Sequence, residues 1–195
     1  MGKGGLLIVD VQNDFCPGGA LAVPDGDKVV PVLNRYIEIF QRAGLPVYAS
    51  RDWHPAKTRH FKRFGGLWHP HCVKETGGAE FHQGLRLPEE SIVITKGEGP
   101  DEDGYSAFQA VDPDGRIFSE TLKRAGVTHL YVGGLATDYC VKASVLDAIR
   151  EGFEVTVLAD AVRGVDLEPG DSAGALEEML KAGAKRTTIE EIRLE

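Results

Sequence analysis

Cysteine is scarce in this sequence: Cys16, Cys72 and Cys140 are the three, odd in number and widely spaced. That excludes a disulfide framework and suits a reducing compartment. Long apolar runs are lacking as well, so no membrane-spanning segment is expected. The short run GLLIV (5–9) reaches Asp10 too soon to serve as the core of a signal peptide. Positive charge is in deficit, with 22 Lys and Arg against 30 Asp and Glu and a formal net charge of −8. An acidic balance of this kind argues against a nucleic acid backbone or an anionic membrane as the main partner. Internal repeats, low-complexity tracts and dividing linkers are missing too. The expectation left is a single cytoplasmic domain over residues 1–195, large enough for one substantial core.

What is present is an alternation of two patterns. GLLIV (5–9), LPVYAS (45–50), SIVIT (91–95), THLYVGG (128–134) and FEVTVLA (153–159) are rich in Val, Ile and Leu without clean polar alternation. Parallel strands buried on both faces read this way. Helix-period segments lie between them. In DKVVPVLNRYIEIFQRAG, Val29, Val32, Leu33, Tyr36, Ile37 and Phe40 form one stripe that stops at Gly44. IFSETLKRAG (117–126), YCVKASVLDAIREG (139–152) and SAGALEEMLKAG (172–183) each end in a glycine suited to a helix C-terminus. With KRTTI (185–189) as a last strand, the pattern predicts a three-layer α/β/α sandwich with about six mostly parallel strands. Residues 52–90 and 97–116 are too long for simple connections, and such loops are usually functional.

Open α/β sheets bind ligands beyond the carboxyl ends of their strands. The residues there are Asp10, Arg51 and Asp52, Lys96, and the segment leading to Cys140. In GGLATDYCV (133–141), Thr137 or Asp138 is a candidate N-cap, which puts Cys140 in the first turn of a helix. The positive helix end and its free N–H groups would lower the thiol pKa and could cradle an oxyanion. Asp10 follows four apolar residues, so partial desolvation suits it to proton transfer. Lys96 stands at a strand end before Gly97.

A second set of residues has metal-ligand character. Asp52 and His54 are spaced i, i+2, and Pro55 keeps His54 extended, so both point to one side. The same holds for His69 and His71 around Pro70, and spacing does not choose between them. His60 falls in the same long segment. Imidazoles with a carboxylate suit Zn²⁺, Fe²⁺ or Mn²⁺ without selecting one. Cys72, opposite His71 in an extended chain, reads as packing.

Taken in order, DVQNDFCPGGALAV (10–23), RDWHP (51–55), WHPHCV (68–73), TKG (95–97), YSAF (105–108) and GGLATDYCV (133–141) resemble the nicotinamidases, members of the isochorismatase-like cysteine hydrolases. The resemblance implies Cys140 as nucleophile, Asp10 as proton-transferring group and Lys96 as third member of a triad. It implies a cis peptide between Leu135 and Ala136, with the N–H groups of Ala136 and Cys140 forming an oxyanion hole. It selects His71 over His69, so the metal ligands become Asp52, His54 and His71, with His60 either a fourth ligand completing the shell or an ordinary pocket histidine. Residues 52–90 become a metal-binding insertion, and zinc is the first expectation for the ion. Phe15, Trp68 and Tyr105 match an aromatic pocket wall and Leu21 its floor, with Leu135 and Tyr139 also against the substrate. The implied reaction, part of NAD salvage, is hydrolysis of nicotinamide to nicotinate and ammonia through a thioester, the metal orienting the pyridine ring. The implied partner is that small molecule, with no nucleic acid or membrane, and homo-oligomerisation is left open. Two places depart from the common pattern: TRHF (58–61), and DEDG ahead of Tyr105.

Three other readings compete. Isochorismatases lack the cysteine, and carbamoyl-amide hydrolases usually lack this metal set. A metal-hydroxide hydrolase would make Cys140 incidental, and a non-catalytic metal- or ligand-binding module would need no nucleophile.

Overall fold

Strands buried on both faces need a layer of helices on each side, and the chain provides it. The computed structural model describes residues 2–194. In chain order it runs β1 (Lys3–Val9), α1 (Val29–Arg42), β2 (Val47–Asp52), β3 (Ile92–Lys96), α2 (Phe118–Arg124), β4 (Val127–Leu135), α3 (Lys142–Arg150), β5 (Glu154–Arg163), α4 (Asp171–Lys181) and β6 (Lys185–Thr187). The strands form one six-stranded sheet ordered β3-β2-β1-β4-β5-β6. All pairs are parallel, so the expected mostly parallel sheet is wholly parallel. KRTTI contributes a strand only as far as Thr187.

Alternation along β1 shows how the two layers arise. Leu6 and Ile8 join a core with Leu33, Tyr36, Ile37 and Phe40 of α1. Leu7 and Val9 face the other way, into a core with Phe118 and Leu122 of α2, Val145 of α3 and Met179 of α4. Among the described residues no helix is long and apolar enough to cross a membrane.

The strand order turns at β1. The chain moves outward from β1 through β2 to β3, then returns to β4 on the other flank of β1. The ends of β1 and β4 therefore diverge into loops that leave a crevice, the usual ligand position in such sheets. Close approach of these two strands depends on Gly134, paired with Val9. Its φ is +124°, and a Cβ there would lie 2.1 Å from the Val9 carbonyl oxygen.

Gly134→Ala is therefore expected to cost about 3 kcal/mol or more, roughly 6 °C or more in Tm. Gly44 also has positive φ but faces open space, so Gly44→Ala should cost only about 1 kcal/mol. Urea unfolding of both variants measures the difference; equal losses would remove the close-approach argument.

Candidate active site

Asp10, the residue after β1, has a φ of 48°, a left-handed conformation that Asp tolerates better than most residues. The Ser50 hydroxyl donates to its Oδ1 at 2.7 Å. At the end of β3, Lys96 lies in register with Asp52 of β2. Its buried ammonium donates to Asp52 Oδ1, to the Gly104 carbonyl at 2.6 Å and toward Cys140 Sγ at 3.7 Å. It also pairs with Asp10 Oδ2 at 2.7 Å. A carboxylate oxygen from Asp10, one from Asp52 and the Cys140 sulfur lie within 4.8 Å of one another, all buried.

Cys140 reaches this point differently from the expected capped helix. Thr137–Val141 forms a π-helical turn ahead of α3, and no side chain caps it. The Asp138 carboxylate instead accepts from the N–H groups of Val165 and Asp166, at 2.9 and 2.8 Å. The peptide between Leu135 and Ala136 is cis.

The electrostatics overturn the expected low-pKa thiol. Burial pushes the Cys140 thiol well above its ordinary value; Lys96 opposes this, while Asp10 and Asp52 add to it. Two carboxylates already share one ammonium, so a thiolate would add a second uncompensated negative charge. Burial also raises Asp10, against the pull of Lys96 and with Asp52 adding. For Asp52 burial acts upward too, yet the Lys96 ammonium holds it below the usual carboxylate range. Lys96 stays charged despite burial because Asp10 and Asp52 favour its ammonium. The arrangement is a protonated thiol beside a basic carboxylate, able to lose its proton during attack.

A cluster of imidazoles lies beside it. Ring nitrogens of His54, His60 and His71, all buried, fall within 4.8 Å of one another. Each Nδ1 faces an oxygen: Gly97 O at 3.1 Å for His54, Asp103 Oδ1 at 2.9 Å for His60 and His69 O at 2.7 Å for His71. Such oxygens only accept, so Nδ1 carries the proton and the neutral ring offers Nε2. Burial pushes His71 down to about 4, keeping it neutral. His54 Nε2 is buried without a hydrogen-bond partner and lies 3.6 Å from Asp52 Oδ2. Three convergent ring nitrogens, that of His54 without a partner, fit a divalent metal ion. Asp52 thus stands between the two clusters, one oxygen toward Lys96 and the other toward His54.

Of the expected pocket residues, Phe15, Leu21, Trp68, Tyr105 and Tyr139 line a pocket that is also lined by Asp52, His60, His71 and Cys140. Trp68 Nε1 donates to the Tyr105 hydroxyl at 2.8 Å, and the Trp68 ring meets Tyr139 edge-on at 4.8 Å. Leu135 does not line this pocket and is fully buried in the core that also holds Phe15 and Ala136. His69 is exposed and contributes only its carbonyl. Cys72 is buried in the core as expected, but its φ of 43° is not extended.

Several participants carry no local sequence signal. Val23, Asp103 and Val165 line the pocket. Gln12 clamps Asp52: its Oε1 accepts from the Asp52 N–H and its Nε2 donates to the Asp52 carbonyl, each at 2.8 Å. The same Nε2 donates to Ala79 O at 2.8 Å. The only hint is position, two residues beyond Asp10 in DVQND.

Known proteins are similar to this one along nearly the whole chain. Residues 5–191 match the isochorismatase domain. The sequence is 44% identical to the nicotinamidase of Escherichia coli K12, over 94% of this chain and 94% of that one. The fold is similar to that of the pyrazinamidase of Pyrococcus horikoshii in complex with zinc, with a TM-score of 0.88 and 45% identity over 95% of this chain and 99% of that one. It is also similar to PnC1 from L. infantum in complex with nicotinate, with a TM-score of 0.86 and 32% identity over 96% and 93% of the two chains. A domain match that runs from within β1 to beyond β6 shows that the chain belongs to the isochorismatase family.

Proposed function

We propose that the protein is a cytoplasmic nicotinamidase that hydrolyses nicotinamide to nicotinate and ammonia, a step of NAD salvage, through a thioester on Cys140. The observation that carries this reading is the burial of the Cys140 thiol, the Asp10 carboxylate and the Lys96 ammonium together beside a pocket that Cys140 lines. The named activity of the E. coli relative supports the substrate. Flat walls from Phe15, Trp68 and Tyr105 favour a planar ring.

Asp10 takes the Cys140 proton as sulfur attacks the carboxamide carbon, so no free thiolate accumulates. The new C–S bond pushes the carbonyl electrons onto oxygen, where the N–H groups of Ala136 and Cys140 stabilise the negative charge. Collapse of this intermediate breaks the C–N bond, and Asp10 returns its proton to the leaving ammonia. Asp10 then takes a proton from water as that water attacks the thioester, and as the C–S bond breaks Asp10 returns that proton to the sulfur, which restores the thiol. Lys96 holds Asp10 and Asp52 in place and offsets their charge throughout. His54, His71, Asp52 and His60 would hold a divalent ion, zinc first, whose contribution is to bind the ring nitrogen and orient the substrate.

Ammonia release from nicotinamide by metal-loaded protein is the direct measurement, and Cys140→Ala should reduce turnover by at least about 10³-fold. Retained turnover in that variant would remove the covalent route. Alkylating the thiol while metal content stays constant should abolish activity equally; survival of activity would point to a metal-bound hydroxide instead. His54→Ala should lower bound metal and raise KM, and unchanged metal content by elemental analysis would exclude its role as a ligand.

A further inference from the structure

The loop after β3 supplies the acceptors for two of the three clustered imidazoles. Gly97 O meets His54 Nδ1, and Asp103 Oδ1 meets His60 Nδ1 at 2.9 Å. The two acceptors differ in kind, because His54 and His71 face neutral backbone carbonyls while His60 alone faces a carboxylate. We propose that Asp103 is a positioning residue of the metal centre: it fixes His60 as the Nδ1–H tautomer and turns Nε2 toward His54 and His71. This rests on the reading of the histidine cluster as a metal site.

Asp103 is held in place for this task. Its loop is fastened to the segment carrying His60 by the Arg59 N–H donating to Pro100 O at 2.8 Å and the Thr58 hydroxyl donating to the same oxygen at 3.1 Å. At the far end of the loop, Gly104 O accepts from Lys96. The His60 N–H donates to Thr58 Oγ1 at 3.1 Å, so backbone and ring of His60 are both fixed. The His60 ring stacks on His54 with centroids 4.5 Å apart and planes 19° apart. Stacking leaves rotation within the ring plane undetermined, and the Asp103 bond determines it. A carboxylate acceptor also makes the opposite nitrogen a better donor to a metal than a carbonyl does. Asp103 itself is 66% exposed beside a His60 side chain that is 3% exposed, so its replacement leaves the core untouched.

The test uses Zn²⁺ and Co²⁺ without substrate, so it does not depend on nicotinamide hydrolysis. Zn²⁺ affinity would be measured against a chromogenic chelator for wild type, Asp103→Ala, Asp103→Asn and His54→Ala, with thermal melts confirming that each is folded. Asp103→Ala is expected to weaken Zn²⁺ by about 10- to 100-fold and to change the visible Co²⁺ spectrum. Asp103→Asn, which keeps an acceptor oxygen and loses the charge, should fall between. If Asp103→Ala binds Zn²⁺ within twofold of wild type with the same Co²⁺ spectrum, while His54→Ala loses the metal, this inference alone is overturned. If His54→Ala also binds like wild type, the metal site itself is lost and both readings fall.

Discussion

The rim of this sheet is organised around one buried ammonium, that of Lys96. Removing a lone ammonium from water carries a penalty of several kcal/mol, so it must be surrounded by compensating groups. Here they come from separate parts of the chain: Asp10 after β1, Asp52 at the end of β2 and the Gly104 carbonyl from the loop beyond β3. The ends of three adjacent strands are thereby held to a common point, and the Cys140 sulfur lies within reach of it. The charge balance follows from the same contact. Burial, with one positive charge against two negative ones, raises both the Asp10 carboxyl and the Cys140 thiol.

Asp52 joins the two halves of the site. One of its oxygens pairs with Lys96 and the other faces His54, so displacing the carboxylate disturbs both the thiol group and the imidazole cluster. This explains why its backbone is gripped so firmly by Gln12. The long connection over residues 53–91 is held by similar means. Gln12 also reaches Ala79, and the Asp14 carboxylate accepts from the N–H groups of Cys72 and Ala20, at 2.7 and 3.0 Å. Polar side chains just after β1 thus anchor the segment that carries His54, His60 and His71.

Much of this was legible in the sequence. Strands and helices were readable because hydrophobic periodicity and terminal glycines are local signals, and Asp10, Asp52, Lys96 and Cys140 were readable because strand ends in such sheets face the ligand. His69 and His71 mark the limit: local geometry treats them alike, and only packing buries one ring and exposes the other. Leu135 marks another, since adjacency to the cis peptide said nothing about which layer its side chain enters. Asp103 and Gln12 left no trace because their partners are far away along the chain.

The sequence by itself determined which segments form strands and helices, where the polar groups end up along them, and which side chains have ligand or nucleophile character. These properties depend on neighbours within a few residues. Tertiary structure alone decided which of those groups meet and what charge each carries. The Cys140 thiol shows why: a helix start predicts a lowered pKa, whereas burial and two carboxylates raise it. A pKa is set by all charges and by the solvent nearby, and the charges here arrive from the ends of three other strands.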